Sequence, residues 1–558
     1  MRVRPMVHLS FIRRAGAGAL LATLLLTAEA LAGPLGRDRD PLVLAGSSLS
    51  LLLGTPPERI VAYRYDAGWA RIPVQVDERA VVDFGTIYGG SLSGFTVLTY
   101  TDTSTFTGPD PDPAFDADDE LALMSKDAGA ARAPAPGPPG TIAGSGMELA
   151  ISDPLGGGTA YTYLFVSDGS LGPWPGPNPV DYDFRLLIGP YKTSYNTSSG
   201  PNPEDSRVTT ASYAVHFSDR WIRNETLVTA GGASGVDILD RHKGLFAPGN
   251  CGRSENTFSA GEGAFIVNRE GPVRTLRGYV GANSGPTTYR IHRLYEARED
   301  ILTALRVHAI SGIMDFFDYS PAATGMVYSN DVNLAGVMID GVPDAVASGP
   351  IGWEMVTGPQ GTLVMTGLLN TDIPGFTSTS YYLDDATPPV TQCTGDPYAY
   401  GSSGLWVQNA IPNTDPALGA YYILEGTRVI AYDAPGKDAA FASARADEAR
   451  SPLTAQATPY PPTVSVAGPL PRGLELRVLA QPARGRLHLA FALPEAGRFA
   501  LALFDPAGRR VATLADGEWS AGWHELTRDV RGLAPGVYWA QGTPAGRSAR
   551  TVPIVIAR

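Results

Sequence analysis

The sequence predicts an all-β protein: a large central two-sheet β-sandwich, with a smaller β-sandwich before it and a further small one after it. Three observations lead there. Apolar residues alternate with polar ones in many short runs, the period-2 signature of strands with one buried face. Gly 64 and Pro 47 in 558 residues place turn punctuation between those runs. Long amphipathic helical patterns are nearly absent, which removes the layered α/β classes.

The chain begins with Arg2, Arg4, Arg13 and Arg14, an apolar run over 15–27, and Ala30-Leu31-Ala32. A basic region, a short apolar core and a small-x-small end predict a secretory signal peptide over residues 1–32. The apolar run is shorter than the roughly 20 residues that span a bilayer. No second run of that length follows, so no transmembrane helix is expected in the mature chain. Cleavage removes four Arg and one Glu, taking the formal charge from −13 to −16. Such an acidic exported chain repels phosphate backbones and speaks against a nucleic-acid partner. Cys251 and Cys393 are the two cysteines. Outside a reducing compartment such a pair is expected as a disulfide.

Residues 33–172 read as the N-terminal β-sandwich, with strands near 42–44, 60–65 and 70–76 and another at 161–166. A long excursion interrupts it and carries the densest acid cluster. There Asp116, Asp118, Glu120 and Asp127 fall at positions 1, 3, 5 and 12 of a calcium-type loop, making calcium the one metal cofactor the sequence raises. Leu121 stands where that loop needs Gly, and Glu120 to Met124 fits a strand equally. Pro-, Gly- and Ala-rich residues 130–146 read as loop, and "LGPWPGPNP" at 171–179 marks the first boundary.

Residues 180–450 form the central unit, with about a dozen strand-like runs, among them 289–296 and 301–310 with a turn near Arg298-Glu299-Asp300. No metalloprotease, nucleophile-elbow or phosphate-loop motif occurs. The residues able to carry chemistry are His292, His308, Arg274 and Tyr295, candidates for proton abstraction beside a neutralised sugar carboxylate. Arg290 and Arg306 are candidate ligand cations. Met314-Asp315-Phe316-Phe317-Asp318-Tyr319, together with Tyr381 and Trp406, mixes carboxylates with rings, so Asp315, Asp318, Tyr381 and Trp406 are candidate sugar contacts. Side chains alternate along a strand, so Arg290 shares a face with His292, and Arg306 with His308. Polar residues on a solvent face would give the same list.

Residues 451–473 contain "TPYPPTVSVAGPLPRG" and read as a Pro-rich linker. Beyond them, residues 474–558 show short alternating strands with turns about every ten residues, an immunoglobulin-like pattern. The phrases "FALPEAGRFALALFDPAGRRVATL", "AGWHEL", "LAPGVYWAQ" and "TVPIVIAR" resemble the flagellar hook-cap Ig-like domain. That domain is similar to the C-terminal sorting domain of type IX secretion cargo. The resemblance implies a secreted or cell-surface protein whose end domain meets secretion machinery. Two departures are Ala480-Gln481-Pro482 in place of the usual opening Pro-Asn-Pro, and Pro553 where a Lys is common.

In the middle, "EGPVRTLRGYVGANSGPTTYRIHRLYEAREDILTALRVHAI", with "IPVQVDE" and "DADDELALM" earlier, resembles the β-supersandwich modules of polysaccharide lyases and mutarotase-like proteins. The leading expectation is a non-catalytic binder of extracellular glycan or matrix. The rivals are a polysaccharide lyase with its site in residues 270–410, and a structural or adhesive surface protein.

Overall fold

The computed structural model describes residues 35–558 apart from 89–93, 134, 173, 189–202, 248–250, 283–284, 286, 388–391, 409, 413–421, 461–472, 480, 520, 547 and 558. Residues 1–32, expected as a signal peptide, and 461–472 of the expected linker lie outside the described residues. Strands make up 52% of the chain and helix 8%, so the all-β expectation holds.

A nine-stranded antiparallel sheet is the backbone of the central unit. Its order is Ala264–Arg269, Thr275–Val280, Tyr289–Leu294, Arg298–Ala304, Leu424–Asp433, Gly361–Thr371, Glu354–Gly358, Val327–Asn330 and Asn333–Met338. Two four-stranded sheets lie against one face of it. One runs Val180–Asp183, Ser206–Thr210, Tyr213–Asp219, Ile222–Val228, and the other Leu239–Phe246, Ile313–Tyr319, Ala399–Val407, Ser378–Asp385. Their inward residues meet in one core in which Val215, Phe217, Phe317 and Tyr319 pack on Leu294, Ile301, Leu363 and Ile430. The hydrophobic effect closes this layer at roughly 25 cal/mol for each Å² of apolar surface removed from water.

The opposite face of the large sheet is covered piecemeal. The hairpin Arg79–Asp83/Thr96–Tyr100 comes from the first unit, and the cluster around it sets Phe84, Ile87 and Tyr100 against Ile266, Leu276 and Ile291. The helix Ala439–Arg450 lays Ala442 and Ala446 on Met355, Val364 and Ala431. Its N-terminus is capped by Asp438, which accepts the Phe441 N–H at 2.9 Å.

The first unit is itself a two-layer sandwich. Pro41–Ala45, Glu120–Met124 and Gln75–Asp77 form one sheet. Thr454–Pro459, Met147–Asp153, Gly158–Val166, Ile60–Tyr65 and Trp69–Ile72 form the other, and Leu42, Leu121, Ile60, Leu149 and Leu164 fill the space between. The strand Thr454–Pro459 lies inside the segment read as linker. It pairs antiparallel with Met147–Asp153 because Thr-Ala-Gln-Ala-Thr alternates small apolar residues against a free edge. The first unit is therefore closed by chain from beyond the central one.

The last unit winds eight strands, from Glu475–Val478 to Arg550–Ala557, about a core of Leu487, Leu489, Phe491, Phe499, Leu501 and Ile554. Cys251 and Cys393 form a disulfide with Cα atoms 5.1 Å apart across 142 residues of sequence. Among the described residues, no helix is long and apolar enough to cross a membrane.

Candidate functional site: a partly exposed carboxylate in the central sandwich

The hairpin Tyr289–Leu294/Arg298–Ala304 decides where most of the candidate residues go. Its turn lies between Tyr295 and Arg298, whose N–H and C=O bond at 2.8 Å, so the expected turn at 298–300 is corrected by about three residues. The second strand consequently ends at Ala304. Arg306 and His308 fall beyond it and share no strand face with Arg290 and His292. His308 is half-buried against Arg253, with Nη2 to Nε2 3.3 Å, and burial lowers its pKa.

His292 points into the core and is 1% exposed. Its Nδ1 donates to Glu299 at 2.9 Å, and the Tyr279 hydroxyl lies 3.4 Å from Nε2. Arg223 and the Tyr432 hydroxyl bond the other Glu299 oxygen at 2.7 and 2.8 Å. Burial drives His292 down to about 4, against the pull of Glu299, so it is neutral near pH 7. Burial opposes the Glu299 charge, yet Arg223 and His292 hold it below the usual carboxylate range.

Arg274 and Tyr295 do come together, but on the other face of the sheet. Arg274 bonds Asp77 at 2.8 Å, Glu120 at 2.7 Å and the Tyr295 hydroxyl at 3.1 Å, and neither residue is more than 1% exposed. They join the central unit to the first one. His292, Arg274 and Tyr295 are thus sealed from any ligand.

Asp315 is a charged group of this region that reaches water. It lies on Ile313–Tyr319 and faces the large sheet, its side chain 32% exposed. His242 Nε2 lies 2.5 Å from its Oδ1. Arg290 and Arg428 stand 3.7 and 3.8 Å from its carboxylate, each under a tenth exposed, and Arg428 also donates to the Asp315 carbonyl at 2.6 Å. Arg290 stacks over Trp221 at 5.0 Å and Arg428 over Phe317 at 5.0 Å, which fixes both forks. Burial pushes His242 down to about 3. The imidazole is therefore neutral and donates Nε2–H to Asp315. Burial opposes the Asp315 charge, but Arg428 and His242 hold it well below the carboxylate range. Behind it Glu354, 3% exposed, is pushed by burial up to about 7 with Arg428 beside it.

Of the six expected ligand contacts the structure brings together Arg290 and Asp315. Asp318 is three residues on, an odd step along a strand, so it lies on the opposite face. There it pairs with Lys243 and Ser402. Tyr381 and Trp406 pack on that same outer face with Phe316 and Cys393, and Arg306 stands apart. His242, Arg428 and Glu354 were not singled out by the sequence. They come from strands far apart in the chain and carry no shared motif.

The calcium-type residues do not converge. Glu120 starts the strand Glu120–Met124 and is held by Arg79, Arg274 and the Tyr100 hydroxyl, while Asp127 is carried to the strand's far end. Asp116 instead accepts the Asp118 N–H at 3.1 Å. Among the described residues, two other carboxylate trios have ligand atoms within 4.8 Å: Glu78, Asp110, Asp119 and Asp240, Asp318, Asp396. The second already contains a cation, Lys243, bonded to Asp318.

No family model and no curated protein matches the chain. Among solved structures it is similar to a putative aldose 1-epimerase from Escherichia coli, at 12% identity and TM-score 0.24, over 46% of this chain and all of that one. A glycosyl hydrolase family 38 protein from Enterococcus faecalis matches at 9% identity and TM-score 0.31, over 89% of this chain and 58% of that one. A polysaccharide lyase matches at 8% and 0.17, over 69% of this chain and 47% of that one. At these scores the likeness carries no argument about function.

Proposed function

We propose that the chain is an exported, surface-displayed β protein that binds an extracellular glycan or matrix polymer without transforming it. The observation that supports this is Asp315: an ionised acceptor, partly exposed to water and braced by two buried guanidiniums and a neutral imidazole. A sugar offers hydroxyl donors to such a group, and the bracing removes the cost of ordering it on binding. The cations expected to meet a uronate are turned inward, so the exposed charge here favours hydroxyl-rich rather than polyanionic chains. The lyase alternative is disfavoured because His292, Arg274 and Tyr295 have no exposed base to offer. The disulfide suits an extracellular location, and the terminal sandwich would meet the secretion machinery.

The test is retention of purified protein on a panel of neutral, amino and acidic polysaccharides. Asp315→Asn, which keeps the shape, is expected to weaken retention at least fivefold. Unsaturated product released from a uronate polymer would establish the lyase instead. Retention on no glycan would leave the structural or adhesive surface protein.

A further inference from the structure

A long cleft separates the first unit from the outer end of the nine-stranded sheet, away from Asp315. Two cavities of about 680 and 350 Å³ share Arg71, Ile72, Trp174 and Pro272, so they form one channel with Trp174 at its waist. Its size exceeds what one small ligand fills and suits a chain of several rings.

The walls are preformed. Gln75 accepts the N–H groups of Val273 and Arg274 at 3.1 and 3.0 Å, pinning the turn at residues 270–273 to the strand Gln75–Asp77. A Cβ at Gly271 would come within 2.3 Å of the Gln75 amide oxygen, so this close approach requires glycine. Arg274 and Asp77 lock the same junction from beneath at 2.8 Å.

We propose that this cleft is a second carbohydrate site, taking a neutral or amino-bearing oligosaccharide lengthwise, with Trp174 as its stacking surface and the acidic side chains of the larger lobe as its hydrogen-bonding wall. The inference rests on the glycan-binding reading above and adds a site and a ligand class to it. Two features carry it besides the cavity. Trp174 is the aromatic side chain that lines both lobes. The larger lobe is lined by five acidic side chains, Glu78 and Asp110 among them, against Arg71 and Arg269. That field repels uronates and accommodates hydroxyls or ammonium groups.

The experiment is calorimetric titration of the full chain with three probes: chitohexaose, cellohexaose and hexagalacturonate. The first two are expected to bind, and the acidic probe at least tenfold more weakly. Trp174→Ala should weaken the neutral and amino probes at least tenfold, and Trp174→Phe less than threefold, with the far-ultraviolet spectrum of both variants unchanged. Equal or tighter binding of the uronate, or full affinity in a folded Trp174→Ala, overturns the cleft. Affinity lost in Asp315→Asn but kept in Trp174→Ala overturns it while leaving the Asp315 reading intact. Binding of none of the three overturns it too, and retention on polysaccharide then judges the Asp315 reading separately.

Discussion

His242 shows how a residue can be visible in the sequence and its role invisible. It lies between Arg290 and Asp315 with Arg428 beyond, contacts that come from four different strands. An imidazole buried neutral costs stability when the unfolded chain can bind a proton and the folded one cannot. With His242 lowered to about 3 and an ordinary value near 6.5, the unfolded state takes up more protons below about pH 6.5, so stability falls as pH drops from there toward 3. The loss reaches about 2 kcal/mol at pH 5 for this residue. His242→Gln should therefore flatten the fall in melting temperature between about pH 7 and pH 5 relative to the native chain. Arg223 and Glu299 form the sharper case, since both are at most 1% exposed. Glu299→Gln leaves the guanidinium buried without its counter-ion and should cost about 3–5 kcal/mol in a denaturant melt. At this scale the sequence displayed the charged residues but not their direction. Arg274 and Arg290 read as one basic group, yet they lie on opposite faces of a sheet. Asp315 and Asp318 read as one acidic pair, and the odd spacing already placed them apart.

At the scale of elements, strands with large β-branched or aromatic residues were legible, as in Ile60–Tyr65 and Tyr289–Leu294. What the sequence hid were elements that use alanine. The helix Ala439–Arg450 buries Ala442, Ala446 and Ala449, a stripe at helical spacing too small to register as an apolar face. Thr454–Pro459 is likewise Ala-based, and its neighbouring prolines read as linker. Its pairing makes a direct prediction. A chain ending at 473 keeps this edge strand and Tyr460, whose ring packs 5.1 Å from Tyr163 and whose hydroxyl accepts the Ala135 N–H at 3.1 Å. A chain ending at 451 loses both and exposes the edge of the five-stranded sheet. It should melt several degrees lower and be cleaved faster in the first unit by a protease of low specificity. Equal melting of the two truncations would mean the strand adds nothing. The disulfide acts at the same scale, tying the entry to the helical turn Glu255–Ser259 onto the loop after Ser378–Asp385. Closing 142 residues, it should contribute up to roughly 4–5 kcal/mol by chain entropy, read as the drop in denaturant midpoint of Cys251→Ser/Cys393→Ser.

The whole molecule divides unevenly. The first and central units share a buried ion-pair junction, Arg274 with Asp77 and Glu120, and a hairpin of one lies in the core of the other. They should unfold together. The terminal sandwich is attached differently. It has its own apolar core, and among the described residues its contacts with the rest include Arg486, which donates to the Leu53 carbonyl and lies 3.2 Å from the Thr55 hydroxyl, and Arg531, which lies beside Gly54. Half-buried ion and hydrogen-bond contacts of this kind contribute on the order of 1 kcal/mol, small beside a cooperative core. Removal of residues 474–558 should therefore leave the melting temperature of the remainder within about 2 °C, which is near the shift a 1 kcal/mol change gives in a chain this long. The isolated 474–558 fragment should show a cooperative transition of its own, followed by fluorescence of Trp519, Trp523 and Trp539. In cells with the native export route, the truncated protein should leave the cytoplasm but no longer reach the surface fraction. A terminal unit that fails to fold alone, or a body that melts much earlier without it, would show that the two share an essential interface. A truncated protein that still reaches the surface would make the terminal sandwich a spacer and remove the sorting role.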